Sequence, residues 1–348
     1  LSDDELDNIK EVFNDAWLGL GPKVYHFEDE WNKYIKSEHS IAVNSGTAAL
    51  HVALAAYEFP KNKKVLVPAI TFSATAAVAL YCNLEPVFVD IDKETLTISL
   101  SDLEKKYTDD CVAIIPVHFG GQPCDMDKLM DWAKNKGLVV IEDCANCAGG
   151  EYKGKKLGTI GDIGCYSFEE KKNMVTGDGG MISTNDIELA NKIRPIRWHG
   201  IDKDTWQRQK DINDTNIEDF GMHWYYEIVT LGYKYNMNDL MAAIGLAQLK
   251  KLDLMNEMRK NAIEKYLVGI SNCKTIKASF PYALEKSAYW LFSIRCKKRN
   301  ELIIFLKNKG IATSVHFMPL TMHPFYKRFD SNIDNARSVY KELITLPL

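Results

Sequence analysis

Little in this sequence leans one way. Lysine and arginine number 43 against 47 aspartates and glutamates, a formal net charge of -4, and the two signs are interspersed. Without a basic stripe, the chain is not built around nucleic acid or an anionic lipid surface, although a small anionic ligand stays open. Long apolar runs are missing too. Stretches such as Val112 to Val117 are far too short to cross a bilayer, and the acidic opening from Leu1 to Leu6 carries no signal-peptide core. These absences predict a globular, cytoplasmic protein with neither membrane nor nucleic acid as partner. Cysteine is sparse: eight residues in 348 make no disulfide framework, and Cys111 and Cys165 stand in strand-like apolar contexts, where reduced, buried thiols are expected.

What is present is enough apolar sequence, 46%, to bury a large core, in a chain longer than most single domains. Up to about residue 190, apolar runs alternate with amphipathic segments. Val65 to Pro68, Pro86 to Asp90, Ala113 to Val117, Leu138 to Asp143 and Ile163 to Phe168 read as strands. Thr47 to Tyr57, Ser73 to Cys82 and Asp125 to Lys136 carry the three-to-four residue spacing of helices. Such alternation means α/β architecture, a mostly parallel sheet covered on both faces, with function at the carboxyl ends of its strands. From about Asn238 the pattern changes: helices at Asp239 to Leu252 and Leu254 to Leu267, a strand at Tyr289 to Cys296 and a helix at Asn300 to Lys309. The division expected is a large domain over 1–237 and a smaller α+β domain over 238–348. Asp202 to Asp219, rich in Asp, Asn and Gln, reads as a long surface loop.

Three segments carry chemistry. Asn44-Ser45-Gly46-Thr47-Ala48-Ala49 lies where a strand hands over to a helix, so small residues let backbone N–H groups face an anion at a helix start; taken alone it is equally an ordinary N-cap. Val139 to Asp143 is a buried strand ending in two acids. A carboxylate there can keep the pyridine nitrogen of pyridoxal phosphate (PLP) protonated, or it can simply cap a helix. Gly164 to Gly180 places Lys171 and Lys172 after a strand and before a glycine-rich turn. A lysine is a nucleophile only when deprotonated, which burial favours, while the bland reading of Glu169 to Lys172 is a solvated charge run. Cys144 and Cys147 form a CxxC spacing, but no second Cys or His pair with ligand spacing accompanies it, so no metal site is expected.

In order along the chain stand SGTAAL, PAITFSAT, PVHFGGQPCDMDKL, EDCANCAGG, GDIGCYSF with its following Lys-Asn, TGDGGM, LGYKYNMND and VHFMPLTMHPFY. This ordered set resembles the DegT/DnrJ group of sugar aminotransferases within the fold type I PLP superfamily, over about Trp17 to the end. The resemblance implies PLP as cofactor and the following roles. Lys172, five residues before the first glycine of Thr-Gly-Asp-Gly-Gly, carries the cofactor. Asp143 pairs with the pyridine nitrogen, and Phe72 stacks on the ring. Gly46, Thr47 and Ser167 bind the phosphate, and Asn146, where relatives often have Gln, reaches the ring hydroxyl. Relatives use an Asn in Gly-Tyr-Asn-Tyr-Arg-Met to reach the phosphate of the neighbouring subunit; this chain reads Gly232-Tyr233-Lys234-Tyr235-Asn236-Met237, so Lys234 or Asn236 takes that place in a homodimer with shared active sites.

Glu169 and Glu170 replace an aromatic or His and a small residue, and they are expected to point partly to solvent, since buried acids would raise the pKa of the bound lysine. His118 is expected near the cofactor floor, and His316 and His323 on the substrate-facing loop. The implied reaction moves an amino group from glutamate to a nucleotide-linked 4-keto-6-deoxy sugar; amination at the third carbon, a PLP-binding regulatory protein without turnover and a plain carbohydrate-binding module are the competing readings.

Overall fold

The computed structural model describes residues 1–208, 224–279, 287–329 and 331–348. Its chain opens with two helices that the apolar pattern alone does not single out, α1 (Asp3–Asn14) and α2 (Pro22–Ile35). A reciprocal cap between Ser2 and Glu5 starts α1, and Pro22 at the first position starts α2, where its missing N–H costs nothing.

Seven strands form the main sheet: β1 (His39–Val43), β2 (Lys64–Pro68), β3 (Glu85–Val89), β4 (Cys111–Ile114), β5 (Val139–Asp143), then, after the small hairpin β6 (Glu151–Tyr152) and β7 (Lys155–Lys156), β8 (Ile163–Ser167) and β9 (Gly180–Thr184). Their order is β1-β9-β8-β5-β4-β2-β3; the pairings from β8 through β3 are parallel, and β9 runs antiparallel to both its neighbours. The expected α/β class with a mostly parallel sheet is what the chain adopts. β9 is the addition: Gly-Met-Ile-Ser-Thr is too short after a glycine turn to announce itself, yet all five residues are buried between β1 and β8.

Helices α3 (Gly46–Ala55), α4 (Ser73–Tyr81), α5 (Leu100–Lys106), α6 (Met126–Lys136) and α7 (Ile187–Ile196) follow in turn. α3 is buried from Ala48 through Leu54, as a helix apolar on every side must be, and packs in one cluster with Val65, Val67, Ile115, Ile141 and Ile163 of the sheet.

Beyond residue 237 two helices follow, Asp239–Leu249 and Leu252–Ile270, so the break falls two residues earlier than the sequence pattern suggests. The first packs on α1 and α2, and Ala242 and Leu246 share a buried cluster with Phe27 and Trp31. A second sheet, β10 (Ile276–Ala278), β11 (Phe292–Cys296) and β12 (Leu343–Leu346), is antiparallel throughout. The expected strand over Tyr289 to Cys296 begins only at Phe292, because the preceding backbone is held elsewhere: Trp290 N–H donates to the Gly120 carbonyl at 3.1 Å. Most of the long polar loop lies outside the described residues; its beginning is docked, with the Tyr25 hydroxyl donating to Asp204 and Trp206 edge-on to Trp17 at 5.3 Å.

Candidate active site

A cavity of about 420 Å³ opens at the carboxyl ends of β5 and β8, where an open parallel sheet places its ligands. Its walls come from the starts of α3 and α4, the end of β5, the Ser167 to Lys172 segment and the later residues Trp290, His316 and Phe317.

β5 separates the roles of its two acids. Successive side chains on a strand point to opposite faces, so Asp143 lines the cavity while Glu142 points into the core. Glu142 accepts four hydrogen bonds, from His118 Nε2 at 2.9 Å and from the backbone N–H groups of Gly158, Ile160 and Gly161 at 2.9, 2.8 and 2.6 Å. Burial works to raise its pKa, but His118 and those N–H groups outweigh it and hold the carboxyl below its ordinary value. His118 Nδ1 accepts the Cys124 N–H at 3.1 Å, so that nitrogen carries no proton and Nε2 is the donor toward Glu142. The ring therefore braces the strand from behind Asp143 without lining the cavity, while Val117 lines it.

Asp143, 4% exposed, accepts from Thr75 Oγ1 at 2.7 Å and from the Ala145 N–H at 3.1 Å; Thr75 is in turn paired with Thr71 at 2.8 Å. Burial raises the Asp143 pKa, opposed by Thr75, Ala145 and then the charge of Lys172. A cation facing Asp143 is what such a carboxylate needs. Thr75, missed by sequence reasoning, sits in the Ser73-Ala74-Thr75 start of α4, and its signal was only a hydroxyl one turn from Thr71.

Lys172 Nζ donates to Asn146 Oδ1 at 3.1 Å and lies 4.3 Å from the centre of the Trp290 ring. Burial lowers its pKa, with Asp143 and Glu169 opposing, so the amine is easier to deprotonate than an exposed one. Lys171 and Glu170 are exposed and pair with each other at 3.5 Å; Glu169 is half-buried on the cavity wall. The pair of acids thus divides, one toward solvent and one toward the pocket.

At the opposite wall, α3 begins with Ser45 capping the Ala48 N–H at 3.0 Å, which leaves the first-turn N–H groups of Gly46 and Thr47 facing the cavity beside Ser167. Gly46 is dictated by close approach: a Cβ there would stand 2.7 Å from Ser167 Cβ. Phe72, just before α4, is 62% exposed on the cavity wall, a flat face available to a ring, with Phe317 6.2 Å away.

His316 lines the cavity, held through Nδ1 to Thr345 Oγ1 at 2.9 Å, and its pKa is lowered by burial and then by Lys172. His323 does not line it; it sits in the turn after Leu320–Met322, where its carbonyl accepts the Tyr326 and Lys327 N–H groups. Lys234 and Asn236 also stay outside their own cavity, the Lys234 ammonium donating to Asn236 Oδ1 at 2.8 Å on the surface next to the end of β1. One His and Cys cluster close enough for a metal exists among the described residues: His118, Cys144 and Cys147, buried, with ligand atoms within 4.8 Å. Both His118 nitrogens are engaged, and burial pushes the Cys144 thiol well up, which disfavours the thiolate a metal would need there.

An anion cradle at a helix start, a flat aromatic wall, a buried carboxylate and a desolvated lysine span one cavity. These donors fit the phosphate, the ring and the ring nitrogen of PLP, and they define an enzyme of PLP fold type I. The whole chain, 1–348, matches the model of the DegT/DnrJ/EryC1/StrS aminotransferase family, and it belongs to that family as a PLP-dependent sugar aminotransferase. It is 39% identical to the spore coat polysaccharide biosynthesis protein SpsC of Bacillus subtilis over 356 residues, 99% of this chain and 89% of that one. Among solved structures it resembles Helicobacter pylori PseC, an aminotransferase involved in the biosynthesis of pseudoaminic acid (TM-score 0.91, 26% identity, covering 100% of this chain and 91% of that one). The putative sugar aminotransferase Spr1654 of Streptococcus pneumoniae in its PMP form gives TM-score 0.89 and 28% identity, covering 100% and 90%.

Proposed function

We propose that this aminotransferase moves an amino group from glutamate onto the fourth carbon of a nucleotide-linked 4-keto-6-deoxy sugar, for deoxyamino-sugar or surface polysaccharide synthesis. The observation that carries the reading is the single cavity in which Lys172, Asp143, Phe72 and the start of α3 converge. Relatives named for spore coat polysaccharide and pseudoaminic acid synthesis support the pathway class. The Met174-Val175-Thr176-Gly177-Asp178-Gly179-Gly180-Met181 wording, which is similar to fourth-carbon enzymes, supports the position.

PLP supplies the electron sink that stabilises a carbanion at the carbon being aminated. Asp143, oriented by Thr75 and the Ala145 N–H, holds the proton on the ring nitrogen. The N–H groups of Gly46 and Thr47, with Ser167, bind the phosphate. Asn146, whose Oδ1 accepts from Lys172 Nζ, would meet the ring hydroxyl of the bound cofactor. Lys172 Nζ would hold the cofactor and, when free, would move a proton at the substrate carbon. Half-reactions with glutamate and with the keto-sugar then alternate. His316 on the wall is the candidate sugar contact; His323, which does not line the cavity, is the candidate contact for a larger part of the substrate such as the nucleotide. Lys234 and Asn236, outside their own cavity, are the candidate contacts to a second subunit's phosphate in a homodimer.

The test is a spectrum of the purified protein with and without glutamate, followed by keto-sugars differing in the position of the carbonyl. Bleaching of the PLP band by glutamate and its return with a 4-keto sugar alone is the expected result; return with a 3-keto sugar alone would transfer the reading to the third carbon. Absorbance unmoved by glutamate would favour a regulatory PLP protein. Lys172→Ala should abolish cofactor attachment and turnover with the fold intact.

A further inference from the structure

The environment of Lys172 contains one contact that none of the cofactor roles requires. Trp290 meets the Lys171–Lys172 segment at two points, the backbone of the first and the amine of the second. Its indole Nε1–H donates to the Lys171 carbonyl at 2.8 Å, and its ring face lies 4.3 Å from Lys172 Nζ. The indole is itself fixed. The backbone of 287–290 is stitched to the turn Phe119–Gly121, Ala288 N–H to the Gly121 carbonyl at 3.3 Å and Trp290 N–H to the Gly120 carbonyl at 3.1 Å. Gly121 permits that approach: its φ is +92° and a Cβ would stand 2.8 Å from Tyr289 N. From the other side, Asn173 Nδ2, in the residue after the lysine, donates to the Ala288 carbonyl and to Asn256 Oδ1.

We propose that Trp290 is a positioning residue that holds the Lys172 amine, whenever it is not bonded to the cofactor, on its ring face and against Asn146 Oδ1. The proposal rests on Lys172 being the cofactor lysine. A lysine freed from its bond regains several rotatable torsions and can pair with Asp143, the nearest buried carboxylate, which would take the partner of the ring nitrogen. A tryptophan face attracts an ammonium most strongly where water is excluded, and here the amine on that face also donates to Asn146 Oδ1, while Asp143 is held by Thr75 and Ala145. Trp290 thereby favours the protonated lysine, the state that exists after the amine has taken a proton. Groups facing Lys172 are Asp143 and Glu169, which favour its charge, and His316, whose ring stands edge-on to Trp290 at 5.3 Å.

The experiment titrates Lys172 in the cofactor-free full chain by the ¹³C shift of reductively methylated lysines, the Lys172 signal being assigned by its absence in Lys172→Arg. The midpoint reports charge and not access. In Trp290→Leu, loss of the ring should give about tenfold more neutral amine at a fixed pH, whereas Trp290→Phe, which keeps a face and loses the N–H, should stay close to the native titration. If the Leu variant does not fold, difluorotryptophan placed at 290 weakens the ring's attraction without changing its shape and should shift the midpoint in the same direction. A Leu or fluorinated variant that titrates as the native protein overturns the proposal. Borohydride reduction of the PLP-loaded protein with peptide mapping is read separately: an adduct on a residue other than Lys172 overturns the lysine assignment, whatever Trp290 does.

Discussion

Glu142→Gln changes one atom in a fully buried group, and its cost can be worked from the geometry. Each carboxylate oxygen has two donors, Oε2 taking His118 Nε2 and the Gly158 N–H, Oε1 taking the Ile160 and Gly161 N–H groups. Whichever way the new amide turns, its NH₂ meets two donors and accepts from neither. His118 cannot relieve this by moving its proton, because a proton on Nδ1 would then face the Cys124 N–H. Two stranded buried donors at about 1–3 kcal/mol each give about 2–6 kcal/mol, with the lower part expected because a buried charge disappears as well. That is a large fraction of a typical total stability. The assay is urea unfolding of the cofactor-free protein at neutral pH, paired with a PLP titration, since Asp143 is the next residue on the strand. A loss of less than about 1 kcal/mol would refute the assignment of four simultaneous acceptor contacts. The sign with pH follows from the depressed pKa of Glu142: its contribution is complete above the unfolded carboxyl value and is lost as pH falls through the folded one, so the gap between native and variant should narrow in acid.

Asp143→Asn should uncouple stability from function. Burial raises the Asp143 pKa, so in the cofactor-free protein its contribution is present at low pH and lost as pH rises through the folded value. The variant should therefore melt higher than the native chain at neutral pH while losing transamination by at least about 100-fold, because the ring nitrogen loses its anionic partner; a variant with native turnover would remove Asp143 from the site. Gly46→Ala places a Cβ 2.7 Å from Ser167 Cβ. The start of α3 and Ser167 must separate, at a cost of about 1–3 kcal/mol, and PLP affinity in an equilibrium titration should fall while affinity for pyridoxal without its phosphate falls less. Equal loss for both would mean that this wall does not hold the phosphate.

Much of the site was legible because its residues are short-range signals. Ser45-Gly46-Thr47 announces a helix start and Val139 to Asp143 a buried strand with acids at its carboxyl end, so each could be placed from a few neighbours, while the choice of Lys172 over Lys171 came from the resemblance. What local signals do not place is of another kind. His316 and His323 lie seven residues apart in one motif, yet a short 3₁₀ turn at Leu320–Met322 leaves only the first on the cavity. Thr75 and Trp290 carry no local mark at all; they matter through partners 68 and 118 positions away.

By itself the sequence determined the alternation of strands and helices and the parallel sheet they imply, because hydrophobic periodicity acts over a turn or a strand; Lys172 was singled out by the resemblance of its ordered motifs. Only the tertiary structure decided which of two adjacent acids faces the pocket, which hydroxyl orients it, and which indole meets the amine. Those choices are made by which face of a strand is covered and by what a distant turn brings alongside, and neither is written in the residues of the strand itself.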